Sequence, residues 1–151
     1  MDHESRLRWR RKCLRGDSGQ ALVEAALVIP VLLLLAFGVV MAGRVSHAKI
    51  AVQAAAREAS RTLATASSEQ TGLADALQTA RSVAAGYDLS QERLTVNLDS
   101  DGFQRGGTAS AEITYRVPLA DLPLLNRLEV TVSSSHSERI DLYRSREAAL
   151  Q

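Results

Sequence analysis

Residues 19–43 read GQALVEAALVIPVLLLLAFGVVMAG, and this stretch decides the fold of the chain. From Ala25 to Gly43 no residue is charged over about 19 positions, close to the ~20 residues that a helix needs to cross the hydrocarbon core of a bilayer. A chain of 151 residues has no core large enough to surround such a helix on every side. The stretch therefore predicts one transmembrane helix, with boundaries at residues 20–43.

A short basic leader precedes the apolar stretch. Residues 1–19 hold six basic side chains and three acidic ones, whereas acidic side chains outnumber basic ones in the rest of the chain. Positive charge concentrated on one flank of a membrane helix indicates the flank that stays in the cytoplasm. We therefore expect a single-pass protein of the cytoplasmic (inner) membrane, with a cytoplasmic N-terminus and an extracytoplasmic C-terminal domain.

Two other targeting signals fit the N-terminus less well. A cleavable secretory signal has an apolar region of roughly 7–15 residues, whereas this one is longer and contains a carboxylate, and Ser46-His47-Ala48 is a poor cleavage site. The pair Arg10-Arg11 resembles a twin-arginine signal only as far as any arginine-rich leader does. Cys13 is the single cysteine, so the chain has no intrachain disulfide and the outer domain must rely on packing.

Glu24 is the unusual residue of the apolar region, because a carboxylate at the centre of a bilayer costs about 2.5–3.5 kcal/mol. One interpretation is a tolerated interfacial charge, since a glutamate near the end of the span can reach the water. However, Gly19 lies five residues before Glu24, directly after the basic leader. With these flanks, the run from Gly19 to Pro30 resembles the N-terminus of the TadE-like pseudopilins, which are minor pilins of the tight-adherence (Tad/Flp) type IV pilus system.

The resemblance implies a role for each of these residues. In pilin-like proteins a prepilin peptidase cuts after the glycine on the cytoplasmic side, so the cut here would fall between Gly19 and Gln20 and remove the leader 1–19. Glu24 would then be the fifth mature residue, a carboxylate that neutralises the new α-amino group of a neighbouring subunit during assembly. Pro30 lies within the helix, where it removes one backbone hydrogen bond and is expected to introduce a kink.

Beyond Gly43 the apolar pattern becomes amphipathic. Apolar residues recur every three or four positions as far as Ala66, which predicts a projecting helix over residues 44–66, although the sequence leaves open a break near Gly43. The apolar positions are Val45, Ala48, Val52, Ala55, Ala59, Leu63 and Ala66, and the polar ones are Arg44, Lys49, Gln53, Arg57, Ser60 and Arg61. Residues 67–151 are expected to form a small extracytoplasmic α+β domain.

Changes of periodicity define the elements of that domain. Residues 67–72 are typical of a connector, and a helical pattern follows over residues 73–84. Apolar residues then alternate over 94–98, 111–117 and from Leu128 to about residue 140, which predicts three antiparallel strands packing one face on the projecting helix. The expected fold class is α+β and pilin-like, with a long N-terminal membrane-spanning helix, a second short helix and a three-stranded antiparallel sheet.

No pattern in the sequence indicates catalysis. The run Asn97–Gly102 resembles the start of a calcium loop, but the twelfth position is Thr108 instead of glutamate. His47 and His136 have no ligand spacing, and Ser133–Ser137 contains no nucleophile motif. We therefore expect no enzyme, no metal, no cofactor and no small-molecule substrate. The net charge of +1 and the scarcity of aromatic residues argue against a nucleic-acid partner.

Through the resemblance, the sequence predicts a structural function. The chain would be a minor pilin or pseudopilin that a prepilin peptidase processes, contributing to pilus biogenesis and adhesion and capable of entering a cell-surface pilus. Its partners would be the membrane, the prepilin peptidase, other pilins or pseudopilins, and the pilus assembly platform. The alternative is an unprocessed single-pass, signal-anchored envelope protein that binds a surface partner. Whether the leader is removed distinguishes these two hypotheses.

Overall fold

The computed structural model describes residues 3–119 and 129–140, with side chains from residue 19 onward. The chain divides into two units, Met1–Val40 and Met41–Gln151. The main elements are α1 (His3–Thr65), α2 (Glu69–Gly86), β1 (Leu94–Asp99), β2 (Thr108–Pro118) and β3 (Glu129–Arg139), with 3-10 turns at Gln91–Arg93 and Asp101–Phe103. The long apolar N-terminal helix, the second helix and the antiparallel sheet confirm the α+β fold class.

Helix α1 begins well before residue 20, the predicted start of the transmembrane helix. It begins at His3 because the arginine-, leucine- and lysine-containing leader consists largely of good helix formers and contains no proline. The backbone is helical at Gly43, where the sequence had left a break open, and α1 ends at Thr65, one residue before the predicted Ala66. Pro30 lies inside the helix, as expected.

Helix α2 begins earlier than its apolar pattern indicated, because Ser68 caps it. The Ser68 hydroxyl oxygen accepts a hydrogen bond from the backbone N–H of Thr71 at 3.3 Å, and Glu69 places a negative charge in the first turn. Most of the predicted connector, residues 67–72, therefore belongs to the helix. The connection from Thr65 to Glu69 is short enough to return the chain antiparallel to α1.

Contacts at both ends show that α2 runs antiparallel beside the second part of α1. Near the start of α2, a Cβ atom added at Gly72 would lie 2.7 Å from Ala66 Cβ and 3.1 Å from Leu63 Cδ1. At the other end, His47 Nε2 lies 3.0 Å from the carbonyl oxygen of Tyr87. Between these contacts, small buried residues recur every fourth position of α2, namely Gly72, Ala76, Ala80 and Ala84. Such small side chains allow the two helix axes to approach closely.

The sheet has the order β1-β2-β3 and presents an apolar face to the same core. In the antiparallel register, Tyr115 of β2 lies opposite Leu94 of β1 and Val132 of β3. The other face is polar, with Thr95, Asn97, Glu112, Arg116, Thr131, Ser133, Ser135 and Ser137 exposed. One buried and one solvated face is typical of an antiparallel sheet. The three predicted strands and their packing against α1 are thus confirmed, although Leu128 lies outside the described residues.

The buried side of α1 is wider than the predicted stripe. Ser60 was assigned to the polar side, yet its side chain is buried together with Ala51, Ala56 and Ala64. The Ser60 hydroxyl donates a hydrogen bond to the carbonyl oxygen of Arg57, one turn earlier, at 2.9 Å. A hydroxyl that makes its hydrogen bond within its own helix can be buried without leaving a polar group unpaired. The periodicity analysis treated every polar residue as exposed and therefore placed Ser60 on the wrong side of the helix.

Replacing Gly72 with alanine tests the close helix contact. We expect Gly72→Ala to lower the free energy of unfolding by about 1–2 kcal/mol, because overpacking against Ala66 and Leu63 exceeds the gain in helix propensity. The readout is hydrogen exchange of β2 peptides in the detergent-solubilised full chain, where exchange should accelerate.

Gly86→Ala in the same helix is the matched control. A Cβ atom at Gly86 meets nothing within 4 Å, so this substitution should leave β2 exchange unchanged or slow it slightly. Equal effects of the two alanines would contradict the close contact at Gly72.

Candidate functional site

The predicted processing residues lie on α1 within the first unit. Gly19 and Gln20 are both helical and exposed, and a Cβ atom added at Gly19 would meet nothing within 4 Å. Thus neither a turn nor a close neighbour in the described chain requires glycine at this position. A binding partner that contacts the backbone closely, such as a peptidase, is one reason for glycine at this position.

Glu24 lies in the first described turns of the apolar helix, and its side chain is exposed. Its carboxylate has no ion pair or hydrogen bond with any residue that the structure describes. Leu22 and Leu27, close to it in sequence, are about 70% exposed. Among the described residues, this carboxylate therefore has no partner that would offset its transfer out of water.

The apolar side chains around Glu24 are exposed on all sides of the helix. These residues are Leu22, Val23, Leu27, Val28, Ile29, Val31, Leu32, Leu33, Leu34, Leu35, Val39 and Val40. The helix Gly19–Thr65 is long and apolar enough to cross a membrane, and none of its most apolar window is buried within the protein. A helix that is apolar all round and uncovered by its own chain fits a single-pass membrane anchor.

Pro30 lies six residues after Glu24, inside α1. It has no backbone N–H and therefore leaves the carbonyl of residue 26 without its usual helical donor. That carbonyl falls within the apolar stretch, where no side chain is charged. Whether Pro30 bends the helix, as the sequence predicted, stays a prediction.

The calcium-like run Asn97–Gly102 forms the end of β1 and the start of a tight turn. The Asp99 carboxylate accepts a hydrogen bond from the backbone N–H of Asp101 at 3.2 Å, so it stabilises the turn. Within residues 3–119 and 129–140, no three His, Cys, Asp or Glu side chains gather in a metal-binding cluster. His136 Nε2 lies 3.8 Å from Glu138 Oε1 on the same strand.

The structure reveals one feature that the sequence did not suggest, a groove within the second unit. The groove has a volume of about 380 Å³ and lies between the start of the projecting part of α1, the C-terminus of α2 and the end of β2. Its apolar bed includes Ala48, Leu89, Tyr115 and Val117, and Arg44, His47 and Asp88 contribute polar groups. These residues come from three segments of the sequence, 43–48, 87–89 and 115–118, which lie 26 or more positions apart, so neither spacing nor periodicity brought them together.

His47 links the two helices that line this groove, because it contacts Tyr87 at the C-terminal end of α2. Because a carbonyl oxygen only accepts hydrogen bonds, the Nε2–H group of His47 is the donor and the backbone carbonyl oxygen of Tyr87 is the acceptor. The imidazole ring also meets the Tyr87 ring edge-on, with the ring centroids 6.0 Å apart and an interplanar angle of 62°. In the sequence, His47 had no partner at ligand spacing, and its actual partner is a backbone group.

Comparison with known proteins matches a part of α1 and none of the elements that follow it. Residues 19–61 match the family model described as TadE-like protein, a family that is structural and not enzymatic. The match begins at Gly19 and includes Glu24 and Pro30. No curated protein and no solved structure matches the chain. The part of the chain from Gly19 through the apolar stretch and most of the projecting helix therefore matches the TadE-like family, as the N-terminal sequence predicted.

Proposed function

We propose that this protein is a minor pilin or pseudopilin of a Tad-type pilus assembly and secretion system, which a prepilin peptidase processes and which supports pilus biogenesis and adhesion. One observation carries the proposal: the TadE-like match begins at Gly19, directly before the apolar part of α1, whose surface is exposed on every side. Such a surface requires a membrane or the helices of other subunits to cover it.

The charges of the chain support one orientation of this anchor. The leader carries six basic residues against three acidic ones, and the positive-inside rule places such a segment in the cytoplasm. The second unit, with its folded sheet, then lies outside the cytoplasmic membrane. A peptidase acting at the cytoplasmic surface would find the Gly19–Gln20 peptide bond at the edge of the span.

Cleavage explains both the glycine and the glutamate. Hydrolysis of the Gly19–Gln20 bond removes the basic leader and leaves a new α-amino group on Gln20. Within an assembly of packed helices, Glu24 of one subunit pairs with this amine on its neighbour, so that two buried charges neutralise each other. The pairing explains why a carboxylate persists in a segment where it has no partner among the residues that the structure describes.

Cleavage is tested by intact mass and N-terminal sequencing of the full chain expressed with and without a prepilin peptidase. We expect the peptidase to produce a chain that begins at Gln20, and Gly19→Leu to prevent this, since a large side chain blocks the backbone from the protease cleft.

Gly38→Leu serves as the control for that experiment. Gly38 lies on the same helix and a Cβ atom there meets nothing within 4 Å, so the variant should be cut normally. A wild-type chain that keeps its leader in the presence of the peptidase would favour the signal-anchored envelope protein instead.

The role of Glu24 is tested by Glu24→Gln, which keeps the shape and removes the charge. We expect the variant to insert into the membrane and to be found at least about tenfold less in the sheared pilus fraction, because a charge-assisted bond to the neighbouring amine is lost. Quantitative immunoblotting of sheared and membrane fractions provides the measurement.

Glu58→Gln is the matched control, since Glu58 is exposed on the part of α1 in the second unit. It should leave the distribution between the two fractions unchanged. Normal incorporation of Glu24→Gln would show that the carboxylate plays no part in assembly.

A further inference from the structure

Strand β3 forms one edge of the sheet in the second unit. In the described sheet, with its order β1-β2-β3, the 11 residues Glu129–Arg139 have β2 as their only neighbouring strand. The register with β2 is continuous over this whole length, without a bulge, and β3 contains no proline. Proteins commonly shorten, bend or interrupt an edge strand, because its unpaired backbone groups are a template for another strand. None of these three protections is present in β3.

Hydrogen bonds just beyond β3 show which of its backbone groups face away from β2. The N–H of Ile140 donates to the carbonyl oxygen of Gly107 at 2.9 Å, and the carbonyl oxygen of Ile140 accepts from the N–H of Gly106 at 3.1 Å. In an antiparallel pair such bonds recur at every second residue, so the residues between them turn their N–H and C=O groups outward. These outward residues, which we call the open edge, are Glu129, Thr131, Ser133, Ser135, Ser137 and Arg139, and all six are exposed.

Lys49 of α1 makes a hydrogen bond to the open edge. Its ammonium group donates to the carbonyl oxygen of Ser133 at 2.5 Å, which agrees with a carbonyl that faces away from β2. A carbonyl oxygen has two lone pairs, so this one keeps an acceptor site for an N–H group in the plane of the sheet. Within residues 3–119 and 129–140, no other hydrogen bond is made to the open edge. Its backbone groups are thus available to another strand.

The charges of the open edge are complementary to those of a second copy. Glu129 lies at one end and Arg139 at the other, and neither forms an ion pair with a residue that the structure describes. An antiparallel copy that overlaps β3 along its whole length places Glu129 of each chain opposite Arg139 of the other. A parallel copy in register would place like charges opposite each other, which is destabilising. Between the charged ends, the antiparallel alignment pairs serine and threonine residues, whose hydroxyl groups form cross-strand hydrogen bonds.

We propose that the open edge of β3 binds the open edge of a second copy of this chain, antiparallel and in full overlap. The two sheets then form one continuous sheet with the order β1-β2-β3-β3-β2-β1. Thr131 of each copy lies opposite Ser137 of the other, and the two residues exchange backbone hydrogen bonds. Ser134 of the two copies meets at the two-fold axis. The contact is isologous, so it closes at a dimer. It lies within the second unit and does not depend on cleavage of the leader.

Disulfide cross-linking of the full chain in membranes tests this pairing. In a Cys13→Ser background, Ser134→Cys places a thiol beside its own counterpart, at a position where the Cα atoms of facing residues are about 4.5 Å apart. This distance suits a disulfide, so mild oxidation should convert the variant to a covalent dimer. Absence of that dimer would overturn the proposal. It is the result expected if residues 120–128 or a strand of another protein covers the edge, or if copies associate through α1 alone.

Two further cysteine variants, also in the Cys13→Ser background, test the direction and register of the strands. The two copies of residue 131 are offset by six positions along the paired strands, or roughly 20 Å. Thr131→Cys should therefore not cross-link to itself, and neither should Ser137→Cys. Co-expressed, the two variants should cross-link to each other, because these positions face each other across the two-fold axis. Cross-linking of each variant with itself indicates parallel or unspecific association and would overturn the proposal.

Charge reversal tests the complementarity of the two ends. Glu129→Arg creates two like-charged pairs in the dimer and should raise the dissociation constant about tenfold, measured by sedimentation of the full chain in mild detergent. Adding Arg139→Glu restores opposite charges and should recover the wild-type value. Glu112→Arg is the matched control, since Glu112 is exposed on the central strand β2, and it should have no effect. A double variant as weak as Glu129→Arg, or an equal effect of Glu112→Arg, would overturn the assignment.

Discussion

The buried face of α1 from Ala48 to Ala64 is the contact on which the second unit depends. Both α2 and the apolar face of the sheet pack into the same cluster, whose fully buried large side chains include Val52, Leu63 and Ile113 while most of its helical members are alanine. A three-stranded sheet needs a packed face to be stable, and α1 provides it. The element that carries the exposed apolar stretch thus also contributes the core of the second unit.

Local patterns predicted most of this fold. The alternation in 94–98 and 111–117 placed β1 and β2 within a few residues of their ends, because one-sided burial imposes a period of two. The sequence-based predictions were wrong at positions where a polar side chain forms a hydrogen bond with the backbone of its own or an adjacent helical turn. Ser68 caps α2 and so moves its start into an apparent connector, and Ser60 is buried because it bonds to its own helix. Neither effect changes the hydrophobic periodicity that a sequence displays.

The two candidate sites differ in how far the sequence could reveal them. Gly19, Gln20 and Glu24 lie within six positions of the sequence, so a sequence motif can identify them. In the described structure, Glu24 has no partner that would give its carboxylate a different role. The groove joins Arg44 to Asp88 and to the end of β2 through tertiary contacts alone. Its existence depends on the antiparallel packing of α1 and α2, which small residues at Gly72, Ala76 and Ala80 make possible. The spacing of residues along the sequence does not predict that packing.

The change of environment along α1 is tested most directly by cysteine accessibility in cells without a prepilin peptidase. In a Cys13→Ser background, single cysteines are placed at Leu34, Gln53 and Ser135, and spheroplasts are treated with a membrane-impermeant maleimide. Gln53→Cys and Ser135→Cys should be labelled from outside, since both side chains are exposed in the second unit, whereas Leu34→Cys should resist labelling even after permeabilisation. Rapid labelling of Leu34→Cys, or labelling of Gln53→Cys only after permeabilisation, would contradict a helix that spans the membrane with its first part and builds the outer unit with its second.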